Sequence, residues 1–348
     1  MCDHIVKQGG DGGVRGASSV EENMIAFECR ASTVIFNLLR SCCSSGPFLL
    51  PANACPILPL VFYKAGQPFE FIDLDPRTMC LDHAAIIDRW SRLDNPRPVG
   101  MVYVRTYGAS FNAEDLFADI KALSPAALII DDRCLCPPSF VEDLSANCDA
   151  MLFSTGHAKY ADIDFGGYGI LRDGINYQRT ALPFSKSDLD YITEQYKASL
   201  ARRTRFAYSD SNWLSTDAPH ITWESYRVSV EQECLKAAAL KSKINEVYVT
   251  GLPPQIQFPS EFQSWRFNIH VRDKESVLSE IRRSGLFASG HYDALSGVFG
   301  SGSCPATQLV HKHVINLFND RHIGVERARE LACLLADIQG LEPSPLFS

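Results

Sequence analysis

The feature that most constrains this chain is the alternation of short apolar runs with amphipathic stretches over its first two-thirds. Phe48-Leu50, Phe69-Asp73, Val99-Arg105, Ala127-Ile130, Ala150-Phe153 and Gly167-Leu171 read as strands. Thr33-Ser41, Ile57-Lys64, His83-Leu93 and Glu114-Leu123 lie between them and read as helices. Crossovers of these lengths join parallel strands through right-handed βαβ units, so an α/β layer with a mostly parallel sheet is expected.

After Gly174 the texture changes to long, charged, helical segments, about Lys186-Phe206 and Trp223-Val249, separated by the turn-rich stretch Tyr208-His220. Gly251-Leu252-Pro253-Pro254 then breaks the pattern, because prolines cannot continue a helix and push the preceding residue extended. The remainder reads as strand, helix, strand, helix: Trp265-Val271, Lys274-Ser284, Val314-Leu317 and Val325-Ile338. The expected organisation is a flexible tail over 1–25, a large α/β domain over 26–250 and a smaller C-terminal α+β domain over 251–348.

At 348 residues the chain can bury a sizeable core. Its net charge of -8 and the lack of an arginine-rich run argue against a nucleic-acid or anionic-membrane surface. No apolar stretch reaches the roughly 18 residues that a membrane span needs. Met1 to Gly16 is polar and glycine-rich, so no secretory signal is expected, and a cytoplasmic location with reduced thiols follows as the expectation. Neither Cys42-Cys43 nor Cys134-Leu135-Cys136 is a CxxC pair, and no Cys/His pair stands at zinc-ligand spacing, so no metal is expected.

In a doubly wound sheet, ligands sit outside the carboxyl ends of the strands. Leu128-Ile129-Ile130 stops at Asp131-Asp132, Met151-Leu152-Phe153 stops at Ser154, and Lys159 follows in Gly156-His157-Ala158-Lys159. If these strands are parallel neighbours, an acid, a hydroxyl and an amine converge on one edge. That set suits pyridoxal phosphate (PLP), which needs a Schiff-base amine, an anion beside its protonated pyridine nitrogen and a phosphate donor. Period-2 alternation puts Asp131 and Asp132 on opposite faces, and spacing alone does not choose between them.

Further segments stand in a telling order: Leu50-Pro51, Ala65-Gly66, Asp73-Leu74-Asp75, Tyr107-Gly108, Ile130-Asp131-Asp132, then Phe153 to Lys159 followed by Gly166-Gly167. In these motifs, over about Phe27 to Leu335, the chain resembles the DegT/DnrJ/EryC1/StrS family of fold-type I PLP enzymes, mostly sugar aminotransferases. The resemblance implies a fold-type I architecture and a role for each matching residue. Lys159 takes the Schiff-base position and, once released, shuttles a proton. Asp132, rather than Asp131, takes the pyridinium position, leaving Asp131 a cap or turn role. Ser154 binds the phosphate together with Ala31 and Ser32, in the segment Arg30-Ala31-Ser32-Thr33 at a helix start. An N-cap role for Ser32 or Thr33 is compatible with that.

The resemblance also implies a homodimer, with Asn212, in Ser211-Asn212-Trp213-Leu214, reaching the phosphate region of the partner's site. Gly290-His291-Tyr292 stands where the family brings side chains toward substrate, with an ordinary surface pair as the alternative. His157 is an acid/base candidate or a packed loop residue. Two positions depart from the family. Cys55 replaces an aromatic that stacks on the cofactor, and Leu135 replaces a polar Gln or His.

The leading expectation is an aminotransferase that moves an amino group from an amino-acid donor, by family habit glutamate, to a keto-sugar or related small ketone. Cys55 and Leu135 favour an alternative, a PLP enzyme of the same fold that performs dehydration, decarboxylation or condensation on a non-sugar substrate. A non-catalytic regulatory relative is the third reading, and Lys159 argues against it. One fold serves all three.

Overall fold

Strand β1 (Met24–Glu28) lies at one edge of a seven-stranded sheet, and α1 (Ala31–Ser41) follows it. Next come β2 (Phe48–Pro51), α2 (Ile57–Ala65), β3 (Phe69–Ile72), α3 (His83–Ser91), β4 (Gly100–Val104), α4 (Glu114–Leu123) and β5 (Leu128–Asp132). β6 (Ala150–Ser154) and β7 (Gly167–Leu171) complete the sheet, whose order is β1-β7-β6-β5-β4-β2-β3. The computed structural model describes residues 23–347 except 43–44, 93–95 and 142–143. Cys43 and most of the expected tail lie outside the described residues, while Met24 and Ile25, at the end of that tail, open β1.

Every pairing from β3 through β6 is parallel, as the crossover lengths require. β7 pairs antiparallel with both β6 and β1. Ser154 faces Gly167 across the β6–β7 ladder, so the chain between them leaves and rejoins the sheet at the same edge. Alternation along the strands sorts two cores. Leu50, Val102, Ile130 and Leu152 pack against α1, while Leu49, Met101 and Ile129 face Ile86 and Phe117 on the other side.

Two helices follow, α5 (Lys186–Arg202) and α6 (Trp223–Gly251). The C-terminal part contains β8 (Phe267–His270), α7 (Lys274–Arg283), β9 (Ser289–Gly290), α8 (Pro305–His313), β10 (Val314–Leu317) and α9 (Gly324–Asp337), with an antiparallel sheet of order β8-β10-β9. α6 has 29 residues and is about 44 Å long. Tyr226 and Val230, near its start, pack on the large sheet's residues, while Ile244 and Tyr248 pack on Phe267, Leu331 and Leu335. One continuous helix therefore belongs to both cores and fixes the spacing between them. The Asp73 carboxylate adds a second tie, accepting the Ala306 and Thr307 N–H groups at 2.9 Å at the start of α8. Among the described residues no helix is long and apolar enough to cross a membrane.

Candidate functional site

The carboxyl ends of β5 and β6, the 155–166 loop and the start of α1 border a cavity of about 590 Å³. Lys159, Asp132, Ser154, Ala31, Ser32 and Cys55 all line it.

α1 begins without a side-chain cap. Its N-cap, Arg30, is extended and makes no capping hydrogen bond, whereas Asp82, Ser185, Thr222 and Asp273 cap α3, α5, α6 and α7. The Thr33 hydroxyl donates to the Ser215 carbonyl at 3.0 Å, so neither Ser32 nor Thr33 serves as the cap. The N–H groups of Ala31 and Ser32 have no protein acceptor among the described residues. They meet the cavity at the positive end of the helix, an arrangement that attracts an anion. β7 runs unusually close to this helix start: a Cβ on Gly167 would lie 2.1 Å from the Ala31 nitrogen, so only glycine fits there.

The loop that carries Lys159 is held from several sides. Ala158 and Asp164 adopt left-handed conformations, with φ of 60° and 69°. Asp162, which is 6% exposed, accepts the N–H of Ala158 at 2.9 Å and of Asp164 at 3.1 Å. Burial alone would raise its carboxyl, but these donors, His322 and Arg321 outweigh it and hold the group below the usual carboxylate range. From just before β8, the Trp265 indole donates to the Ala158 carbonyl at 2.8 Å. At the other end of the loop, the Thr155 hydroxyl sits 2.7 Å from both the Phe165 carbonyl and the Tyr226 hydroxyl.

At the end of β5 the two aspartates part. Asp131 is buried, 1% exposed, and accepts two bonds from Arg105 at 2.8 and 2.9 Å and one from Arg133 at 2.9 Å. It is the centre of a buried ion pair, which replaces the cap or turn role expected for it. Asp132 faces the cavity, accepts the Cys134 N–H at 2.9 Å and makes no ion pair among the described residues. Burial pushes the Cys134 thiol well up, with Asp132 adding to the effect and nearby Lys159 opposing it.

His291 also lines the cavity and is 4% exposed, which removes the surface-pair alternative for it. Its Nε2 is 3.2 Å from the Asn53 carbonyl and must carry the ring's hydrogen to bond there. Burial pushes its pKa down to about 3, so the ring is neutral, and its edge rests on Tyr107 at 4.8 Å between centroids. Tyr292 reaches Cys55, and that neighbour together with burial pushes the phenol up. Leu135 closes the wall with an apolar side chain, and His157 stands at the mouth with its side chain 75% exposed. Asn212 is exposed and outside the cavity, with its N–H on Asp188 at 2.8 Å. Asn53 and Asp162 had no place in the sequence reading, and Cys134 and Trp265 had none at this site. Each acts through folded neighbours rather than a local motif.

Solved structures share this architecture. DesI, whose structure was determined in the presence of its TDP-sugar product, matches 90% of this chain and 79% of its own, with a TM-score of 0.67 at 15% identity. A DegT DnrJ EryC1 StrS aminotransferase from Brucella abortus matches 89% and 84%, with a TM-score of 0.60 at 11% identity. Helicobacter pylori PseC, an aminotransferase involved in the biosynthesis of pseudoaminic acid, matches 89% and 85%, with a TM-score of 0.62 at 14% identity. The chain has the fold of these aminotransferases. By sequence, neither a family model nor a curated protein matches it. The aminotransferase fold puts the cavity at the carboxyl edge of the large sheet, where doubly wound sheets place their ligands.

Proposed function

We propose that this protein is a PLP-dependent aminotransferase that takes an amino group from an amino-acid donor, glutamate by preference, and passes it to a keto-sugar or related small ketone. The observation that carries the reading is the sharing of one cavity by Lys159, Asp132, Ser154 and the uncapped start of α1. These residues fit the cofactor: the free N–H groups of Ala31 and Ser32 and the Ser154 hydroxyl would hold its phosphate. Bound there, PLP supplies an aldehyde for a lysine amine and a ring that accepts electrons from the substrate carbon.

The rest of the chemistry falls to the chain. Lys159 Nζ would be the amine that holds the cofactor and, when free, the base that moves a proton from the substrate carbon to the cofactor carbon. The Asp132 carboxylate would keep a proton on the pyridine nitrogen of a bound cofactor, and no arginine competes for that carboxylate among the described residues. His291, neutral and buried, and Tyr292 close the cavity from the small-domain side and limit water. Asn212 fits a role in a second copy's site, since it is exposed and away from the cavity of its own chain. That role makes the working unit a homodimer. Heterodimers of Asn212→Ala and Lys159→Ala chains should regain activity, because one of their two sites receives both intact groups.

The reading is tested by mixing the cofactor-loaded protein with glutamate and then with keto-sugar acceptors while recording spectra. Conversion to the amino form of the cofactor by the donor, and back by the acceptor, is the expected result. Cys55 and Leu135 in the cavity wall favour the second reading, a different PLP reaction on a non-sugar substrate. Loss of donor without any amino form of the cofactor would select it.

A further inference from the structure

The Lys159 loop holds a second group of polar side chains that the chemistry above leaves unused. His157 and Asp162 belong to this loop, and His322 comes from the turn before α9 in the small domain. His322 Nε2 is 3.2 Å and His157 Nδ1 is 3.9 Å from the same oxygen, Asp162 Oδ2. One ligand atom of each residue lies within 4.8 Å of the others, and the two imidazole rings stand edge to face with centroids 5.3 Å apart. We propose that His157, Asp162 and His322 bind a divalent transition-metal ion of the zinc class, which clips the Lys159 loop to the small domain.

Two imidazole nitrogens and one carboxylate oxygen suit zinc, cobalt or nickel rather than magnesium or calcium. With bonds of about 2.0–2.2 Å, a tetrahedral zinc site sets its ligand atoms roughly 3.3 Å apart. The Asp162–His322 separation already meets that spacing. The exposed His157 side chain needs to close by less than an ångström toward Asp162.

Asp162 is prepared for such a role. The Ala158 N–H occupies only one lone pair of Oδ2, and the Asp164 N–H orients the carboxylate through Oδ1. Arg321 approaches Oδ1 at 3.3 Å, not the oxygen that the histidines share, and it is also paired with Asp164. An ion pair between His322 and Asp162 would account for one histidine. It leaves His157 unexplained, because 3.9 Å is too long for a hydrogen bond. A tetrahedral ion held by these three ligands keeps one further position for water. The two histidines come from distant parts of the sequence, so no ligand spacing announces the site.

The proposal stands apart from the cofactor reading and is tested by direct metal binding. Chelator-treated protein is titrated with Co²⁺ in the absence of amino acids, and the visible absorption is recorded. The expected result is a saturable band at one equivalent that Zn²⁺ abolishes and that His322→Ala and His157→Ala each lack. Zn²⁺ should also raise the Tm of the wild type and leave that of His322→Ala unchanged. PLP itself takes up metal ions, so the titration is repeated on cofactor-free Lys159→Ala protein, where the band should persist. No band up to millimolar Co²⁺, a band retained by folded His322→Ala, or a band lost with the cofactor would each overturn the proposal.

Discussion

Asp131 and Asp132 are neighbours in the sequence, yet the two faces of β5 treat them oppositely. On one face Asp131 is saturated: two arginines fill its carboxylate in the interior. On the other, Asp132 receives one backbone N–H and keeps the rest of its bonding capacity toward the cavity. Helix starts show the same division, with α3, α5, α6 and α7 capped by side chains and α1 left open where it meets that cavity. Polar groups that the chain satisfies internally hold the fold. Those left with capacity in a shared cavity are available for a ligand.

The largest effect that would sharpen this contrast is at Lys159. Lys159→Ala should lower turnover by at least about 10²–10⁴-fold, the usual worth of a positioned acid/base, and leave the Tm nearly unchanged. Steady-state rates and thermal melts check it together. The two aspartates should then cross over. Asp132→Ala should cost about 100-fold in rate with the fold intact. Asp131→Ala strands Arg105 without its buried partner and should cost about 3–5 kcal/mol of stability, while the molecules that remain folded keep their activity. Denaturant titration of both variants beside their rates would break the comparison if the two effects ran together.

A smaller effect concerns the loop clamp. The Asp162 carboxyl is held below its ordinary range, so its contribution to stability is present above the unfolded value near 3.9 and is lost as pH falls through the folded value. The Tm advantage of wild type over Asp162→Asn should therefore be constant near neutrality and shrink below about pH 4. Melts across pH 2–7 measure it. Smallest is the cofactor-facing wall. Cys55→Phe would add a ring to the cavity wall, and stacking is worth about 0.5–1.5 kcal/mol, so cofactor affinity should rise about two- to thirteenfold in an equilibrium titration.

Much of the architecture was legible because its signals are local. The strands β2 to β7 and the helices α1 to α4 carry their own periodicity, and parallel pairing follows from crossover length. β1 escaped because Met24-Ile25-Ala26-Phe27-Glu28 is a single short run whose identity as a strand depends on pairing with distant β7. β9, two residues long, and α8 likewise depend on what they pack against. At the site, the convergence of an acid from Asp131-Asp132 with Ser154 and Lys159 could be read from strand ends, while the choice of Asp132 rested on the family resemblance. The saturation of Asp131 could not, since Arg105 lies on another strand's exit and reaches it only in the folded sheet. The same holds for the Asp162 clamp, since His322 reaches Asp162 and Trp265 reaches Ala158 only in the folded chain.

The central claim, that the cavity is built around Lys159 as the cofactor-anchoring amine, is tested most directly by borohydride reduction of PLP-loaded protein followed by peptide mapping. The account predicts a single pyridoxyl group, on Lys159. The strongest competitor is Lys241, whose amine burial pushes down to about 7 and whose Nζ donates to the Trp265 carbonyl and to Asn319. A label on Lys241 or any other lysine, or protein that takes up no cofactor at all, would contradict it.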